Sequence, residues 1–319
     1  MRAKHLVAAS AGVMLLASPL TQAEENLWIY AKGTDTRPQG SVEVKLSDVS
    51  RFDKGSGDYR FHDIRPEIEY GVTDKLTVGA EIMIFDHNYS VNSDDLGPMV
   101  DTQGGIGSRF NDTQYGGFEL ALKYNILSPY KDFMGFSVGL GYENREKYRL
   151  DGGDIKQDSF TATLFFQKNF LDDTLVFVLN PKVEFERRKN DGGDEKVLEE
   201  EISLDVSAGV SYRFAPKWFI GLEARHQSDY LNPQINGEFD PELDRSSFDL
   251  GDFRIGSQHQ YAYYLGPTIH YAEQTWWATA GVLFQVAGGG RADGDANKDN
   301  RNYDEHEKYH VGLSLGYEF

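Results

Sequence analysis

Tyr309-His310-Val311-Gly312-Leu313-Ser314-Leu315-Gly316-Tyr317-Glu318-Phe319 closes the chain, alternating bulky apolar residues with small or polar ones and stopping on an aromatic. Successive side chains on a strand point to opposite faces, so Tyr309, Val311, Leu313, Leu315, Tyr317 and Phe319 share one apolar face. A soluble sheet can do the same once. Here the pattern recurs along the chain in segments of about ten residues separated by turn residues, the signature of a transmembrane β-barrel.

Working back from the terminus, strand eleven carries Trp276, Ala278, Ala280, Val282, Phe284 and Val286 on its apolar face, and strand ten Tyr261, Tyr263, Leu265, Pro267, Ile269 and Tyr271. Trp218, Ile220, Leu222 and Ala224 mark strand nine. Strand eight alternates most regularly, with Ile202, Leu204, Val206, Ala208, Val210, Tyr212 and Phe214 opposite polar or small residues. Similar runs begin at Leu175, Phe160, Phe136, Phe118, Leu76, Ile64 and Val42, which makes twelve strands. Connections near residues 73, 128, 172, 216 and 273 are short; those near 55, 100, 151, 192, 240 and 297 are longer and polar. An even count with short turns on one side and long loops on the other is what a bacterial barrel requires, with the short turns periplasmic. The segments Phe52 to Asp58, Asp86 to Gln114 and His226 to Gly256 are expected to be loops. Pro66, Pro181 and Pro267 inside strands each remove a ladder donor and are expected at bulges near a rim.

The amino terminus gives the compartment. Arg2 and Lys4 precede an apolar run, Leu6 to Ala17, too short for a membrane helix, and Thr21-Gln22-Ala23 forms a small-residue cleavage site. Residues 1–23 are therefore read as a signal peptide, 24–39 as a periplasmic N-terminal segment or lumen plug, and 40–319 as the barrel.

Composition is compatible with this. The chain has no cysteine, so no disulfide supports it. Its mean hydropathy of -0.53 suits a barrel in which only alternate strand residues meet lipid. Eighteen Tyr and 20 Phe against 4 Trp supply aromatic girdles. The formal charge of -19, more negative still without Arg2 and Lys4, argues against binding nucleic acid through its phosphates.

The signal, the strand rhythm and the terminal Tyr317-Glu318-Phe319 together resemble a Gram-negative outer-membrane β-barrel of the porin or transporter kind. The stretch Thr34 to Glu43 is similar to the opening of a loosely defined group of such barrels. The resemblance implies an all-β, antiparallel barrel in the cell outer membrane, surrounded by lipid and lipopolysaccharide and recognised by the barrel-assembly machinery through Phe319.

Strand parity places Glu43, Lys45, Asp63, Arg65, Glu67, Glu69, Glu81, Glu119, Lys123, Lys182, Glu184, Asp205, Arg213, Glu223, Arg225, His270 and His310 inward as pore-lining residues, with Glu143, Glu186, Glu201 and Glu318. Buried charge persists only if paired or wetted, so the interior is expected to be hydrated and laced with ion pairs. The excess of carboxylates favours cations. It argues against the acidic sugars that basic twelve-stranded lumens pass.

Three functions are compatible: a channel for ions or small solutes, a non-conducting structural or receptor-type barrel, and a hydrolase acting on lipid. The channel is the expected one. Catalysis is not expected, because His310 and Ser314 share a face about 13 Å apart, and His226, Ser228, His259 and His270 show no paired nucleophile and base. Asp293, Asp295, Asn297 and Asp299 have oxygen ligands at the spacing of a calcium loop but lack its sixth-position Gly and twelfth-position Glu. A solvated polar loop is the expected reading there. No cofactor is expected.

Overall fold

A computed structural model describes residues 26–54, 57–90, 107–190, 197–235, 238–239, 257–290, 299–303 and 305–319. The signal segment lies outside them, as do Asp293, Asp295 and Asn297. The described residues form strands with no helix longer than a turn. In chain order they are β1 Val42–Lys54, β2 Gly57–Thr73, β3 Leu76–Ser90, β4 Arg109–Leu127, β5 Gly135–Lys147, β6 Asp154–Phe170, β7 Leu175–Asn190, β8 Val197–Ala215, β9 Trp218–Ile235, β10 Ser257–Ala272, β11 Trp276–Gly290 and β12 Tyr309–Glu318. The pair Glu238–Phe239 folds back on the end of β9.

Every strand pairs antiparallel with its sequence neighbours, and β1 pairs with β12 from Glu43 opposite Glu318 to Phe52 opposite Tyr309. The sheet is a closed twelve-stranded barrel and leaves no free edge in lipid. Parity sets its two faces. Outward Leu140 and Phe160 are 56% and 59% exposed, while inward Glu43 and Glu223 are 0% exposed. Apolar outside and charged inside is the inverse of a soluble protein, as a lipid-embedded wall demands.

The strands run further than their hydrocarbon-facing pattern. Phe52 to Asp58 is not an open loop: β1 continues to Lys54 and β2 begins at Gly57. β3 continues to Ser90, β4 begins at Arg109 and β9 reaches Ile235. About 9–11 tilted residues cross the hydrocarbon, and β4 and β8 have 19 each. Above the bilayer both faces meet polar surroundings, so the alternation fades although the ladder does not.

The prolines are corrected as well. Pairing with one neighbouring strand lapses beside Pro66, Pro181 and Pro267, yet the register is the same on both sides of each: Ile64 opposite Ile84 and Glu67 opposite Glu81, for example. The missing donor removes local pairing without inserting a residue, in mid-strand and not at a rim. Bulges occur elsewhere, as at Tyr115/Gly117 and Gln258/Gln260.

Candidate functional site

The N-terminal segment 26–39 lies inside the barrel and crosses it on the short-turn side. The Glu223 carboxylate on β9 accepts three successive backbone N–H groups: Ile29 at 2.9 Å, Tyr30 at 2.8 Å and Ala31 at 2.7 Å. The Lys32 N–H donates to Asn180 Oδ1 at 2.6 Å, and Asn180 Nδ2 donates back to Lys32 O at 3.0 Å. Thr34 N–H donates to Gln167 Oε1 at 2.8 Å, and Ser137 Oγ to Thr34 O at 2.5 Å. An irregular segment has no ladder of its own, so wall side chains satisfy its backbone.

Apolar contacts hold the same segment. Leu27, Trp28 and Ala31 pack with Val176, Val178 and Phe219. The wall is glycine where the plug approaches most closely: a Cβ on Gly209 would strike Trp28, one on Gly135 would strike Thr34, and one on Gly312 would lie 2.5 Å from Ile29. At the end of the plug, Arg37 reaches Glu43 at 2.8 Å, Glu69 at 3.2 Å and Glu318 at 2.6 Å. Its guanidinium thereby joins β1, β2 and β12, and Trp277 of β11 donates to Glu43 Oε2 at 2.9 Å.

Connections fold inward from the opposite side. Between β5 and β6, Leu150 packs on inward Tyr59, Phe61, Met83, Phe85 and Tyr89. Tyr59 Oη donates to Leu150 O and Tyr89 Oη to Asp151 O, both at 2.9 Å. Before β12, Glu307 accepts from Lys54 at 3.3 Å, and its backbone carbonyl from Tyr264 Oη at 3.0 Å. Burial works against the charge of Glu307, but Lys54 and the His310 hydrogen bond outweigh it and hold the carboxyl well below its usual range. His306 beside it is pushed down to about 3 by burial.

Between this roof and the plug lies a cavity of about 330 Å³. Arg65 is its hub, bonded to Asp63 at 2.8 Å, to Glu81, to Glu119 at 3.4 Å and to Glu143 at 3.8 Å. Arg149 from the roof adds Glu143 at 3.1 Å. Lys45 pairs with Glu67, Lys182 with Glu184 at 3.2 Å, and Arg225 with Asp205 at 2.5 Å while covering the Tyr30 ring at 3.6 Å. Bidentate and shared pairs of this kind fix charges in place around the cavity.

Twelve of the seventeen residues expected to line a pore border this cavity. Glu43, Arg213, Glu223, His270 and His310 do not. Glu43 sits at the strand seam and Glu223 under the plug; Arg213 lies over the Phe219 ring. His270 Nδ1 is 2.7 Å from Thr279 Oγ1, and His310 bridges Tyr30 Oη at 2.7 Å and Glu307 at 3.1 Å. His226 instead faces outward, stacked on Tyr263. Among the described residues no cluster of His, Cys, Asp and Glu is placed to hold a metal ion.

The carboxylate excess read from the strands does not carry into the cavity, whose lining includes eight acidic and eight basic side chains. Lys32 comes from the plug and Arg149 from the roof, and Arg51 from the part of β1 that outruns its apolar alternation.

A family model described as a family of unknown function (DUF6662) matches residues 20–319. No curated protein matches the sequence. Among solved structures, the COG4313 outer membrane channel from Pseudomonas putida F1 is similar at 14% identity and TM-score 0.57, covering 90% of this chain and 98% of that one. The transport unit of the autotransporter AIDA-I from Escherichia coli, at 11% identity and TM-score 0.46, covers 94% and 97%. LpxR from Salmonella typhimurium, at 9% and 0.42, covers 87% and 99%. At these identities the likeness is one of fold, that of outer-membrane β-barrels.

Proposed function

The chain belongs to that family of unknown function, and from the geometry of its lumen we propose that it is an outer-membrane channel for ions or small polar solutes, closed at rest by its own N-terminal segment. The observation that carries the proposal is the charged cavity between plug and roof. A barrel built only as a scaffold has no need of about 330 Å³ of space walled by fixed charges. Eight acids against eight bases make the cavity itself nearly neutral. The chain's net charge of -19 favours the approach of small cations and zwitterions over anions.

Opening requires the plug to leave, and it is held by discrete hydrogen bonds and not by covalent linkage across the lumen. We assign no catalysis to the chain. Phe319, 75% exposed on the short-turn side, is available for contact with the assembly machinery.

The test is planar-bilayer conductance of the full chain against a chain lacking residues 26–36. The full chain is expected to be mostly closed with brief openings, and the truncated one persistently open with a modest cation preference. If the truncated barrel, shown to be folded by its gel shift on heating, stays silent, the reading fails in favour of a structural barrel. The many buried bonds on the plug are what favour that second reading.

A further inference from the structure

On the outside of β1 and β2, three polar side chains stand where parity demands lipid-facing ones. Asp48 and Ser50 share the face of Val44 and Leu46, and His62 that of Ile64 and Ile68; the register sets Ser50 opposite His62. Ser50 Oγ donates to Asp48 Oδ2 at 3.0 Å, and His62 Nδ1 lies 3.0 Å from the same oxygen and 2.8 Å from Ser50 Oγ. Polar groups facing lipid are expensive and mark function by default. One residue pair further toward the long connections, Phe52 and Tyr309 stack at 5.0 Å, so the cluster lies just inside an aromatic girdle.

A groove of about 740 Å³ begins at Asp48 on this outer wall. It runs over Ala278 and Ala280, flanked by Leu313, and ends at Trp276 and Trp218. Ala280 pairs with Leu313, which pairs with Asp48, and Trp276 lies four residues nearer the short turns. Those four residues span about 13 Å. The groove is therefore an apolar depression across the outer face of β1, β12, β11, β10 and the start of β9, with the Asp48 carboxylate at its interfacial end.

We infer that this groove binds one amphiphile of the surrounding membrane, its acyl chain lying over Ala278 and Ala280 and its hydroxyl, amide or ammonium donor meeting Asp48, Ser50 and His62. The cluster offers carboxylate and hydroxyl oxygens to a donor. It is not arranged as a nucleophile, because Ser50 and Asp48 converge on one ring nitrogen, whereas proton relay through histidine uses both. The inference is independent of whether the lumen conducts.

The experiment is native mass spectrometry of delipidated barrel returned to micelles containing phosphatidylethanolamine. Wild type is expected to hold one lipid, Ala280→Trp to lose it by filling the floor, and His62→Phe to lower its retention about tenfold. Equal retention in wild type and Ala280→Trp, both showing the heat-dependent gel shift, overturns the inference, as does failure of wild type to bind. A dimer mass without lipid overturns it in favour of copy-to-copy contact. Release of fatty acid by wild type overturns it in favour of catalysis.

Discussion

Ile29 occupies the space that a side chain at position 312 would need: a Cβ on Gly312 would stand 2.5 Å from Ile29 Cγ2. Barrel wall and plug are thus fitted to one another. Gly312→Ala is expected to unseat the plug, at about 1–3 kcal/mol of overpacking, and to raise the open fraction in bilayers. Ile29→Ala in the same chain should restore closure, and the double-mutant cycle reports their coupling. Independent, additive effects on opening would show that the contact does not hold the plug.

Glu223 accepts three successive plug N–H groups inside the barrel. Glu223→Ala leaves them unpaired at about 1–3 kcal/mol each. Trypsin added from the short-turn side should then cleave after Lys32 at least tenfold faster, with faster hydrogen exchange at residues 29–31. Glu223→Gln, which keeps a carbonyl oxygen, should fall between.

Arg37 pairs with Glu43, Glu69 and Glu318 at the seam of first and last strands. Removing one partner of a buried ionic group costs about 3–5 kcal/mol. Arg37→Ala is expected to lower the temperature at which the folded gel band disappears. An unchanged transition would place the stability of the seam in the backbone ladder alone.

The architecture was legible because hydrocarbon imposes its period on every second residue: Leu313 and Leu315, or Ile202 and Leu204, announce which way a strand faces. Where the bilayer ends, that signal ends too, so alternation does not announce Arg51 and Lys54 as interior charges although β1 carries both inward. Asp48, Ser50 and His62 were legible in principle, since extending the parity of Val44 and Ile64 puts them outside. The plug was half-legible: Leu27-Trp28-Ile29-Tyr30 is apolar and breaks the strand count, but its partners are Asn180, Glu223 and Gln167, far away in sequence. No local pattern encodes a contact that depends on closing the ring.

The roof should respond to pH through His306. Folded, its imidazole titrates at about 3, against the ordinary 6.5, because burial disfavours its charged form. Lys54 and His310 reinforce this, while Glu305 and Glu307 oppose it. The released loop therefore binds more protons than the docked one, so docking weakens as pH falls from 6.5 toward 3, by at most about 1.4 kcal/mol per unit. Protection factors of residues 301–308, taken relative to intrinsic exchange at each pH, should fall on acidification from pH 7 to 5. His306→Phe should flatten that dependence, and an equally steep response in the variant would assign it to other groups.

Because Arg37 draws one carboxylate from each of β1, β2 and β12, its site does not exist in a half-built sheet. The Arg37 end of the plug can be pinned only after the last strand has met the first. A nascent barrel thus gains this last anchor of its N-terminal segment in the same step that completes its circumference.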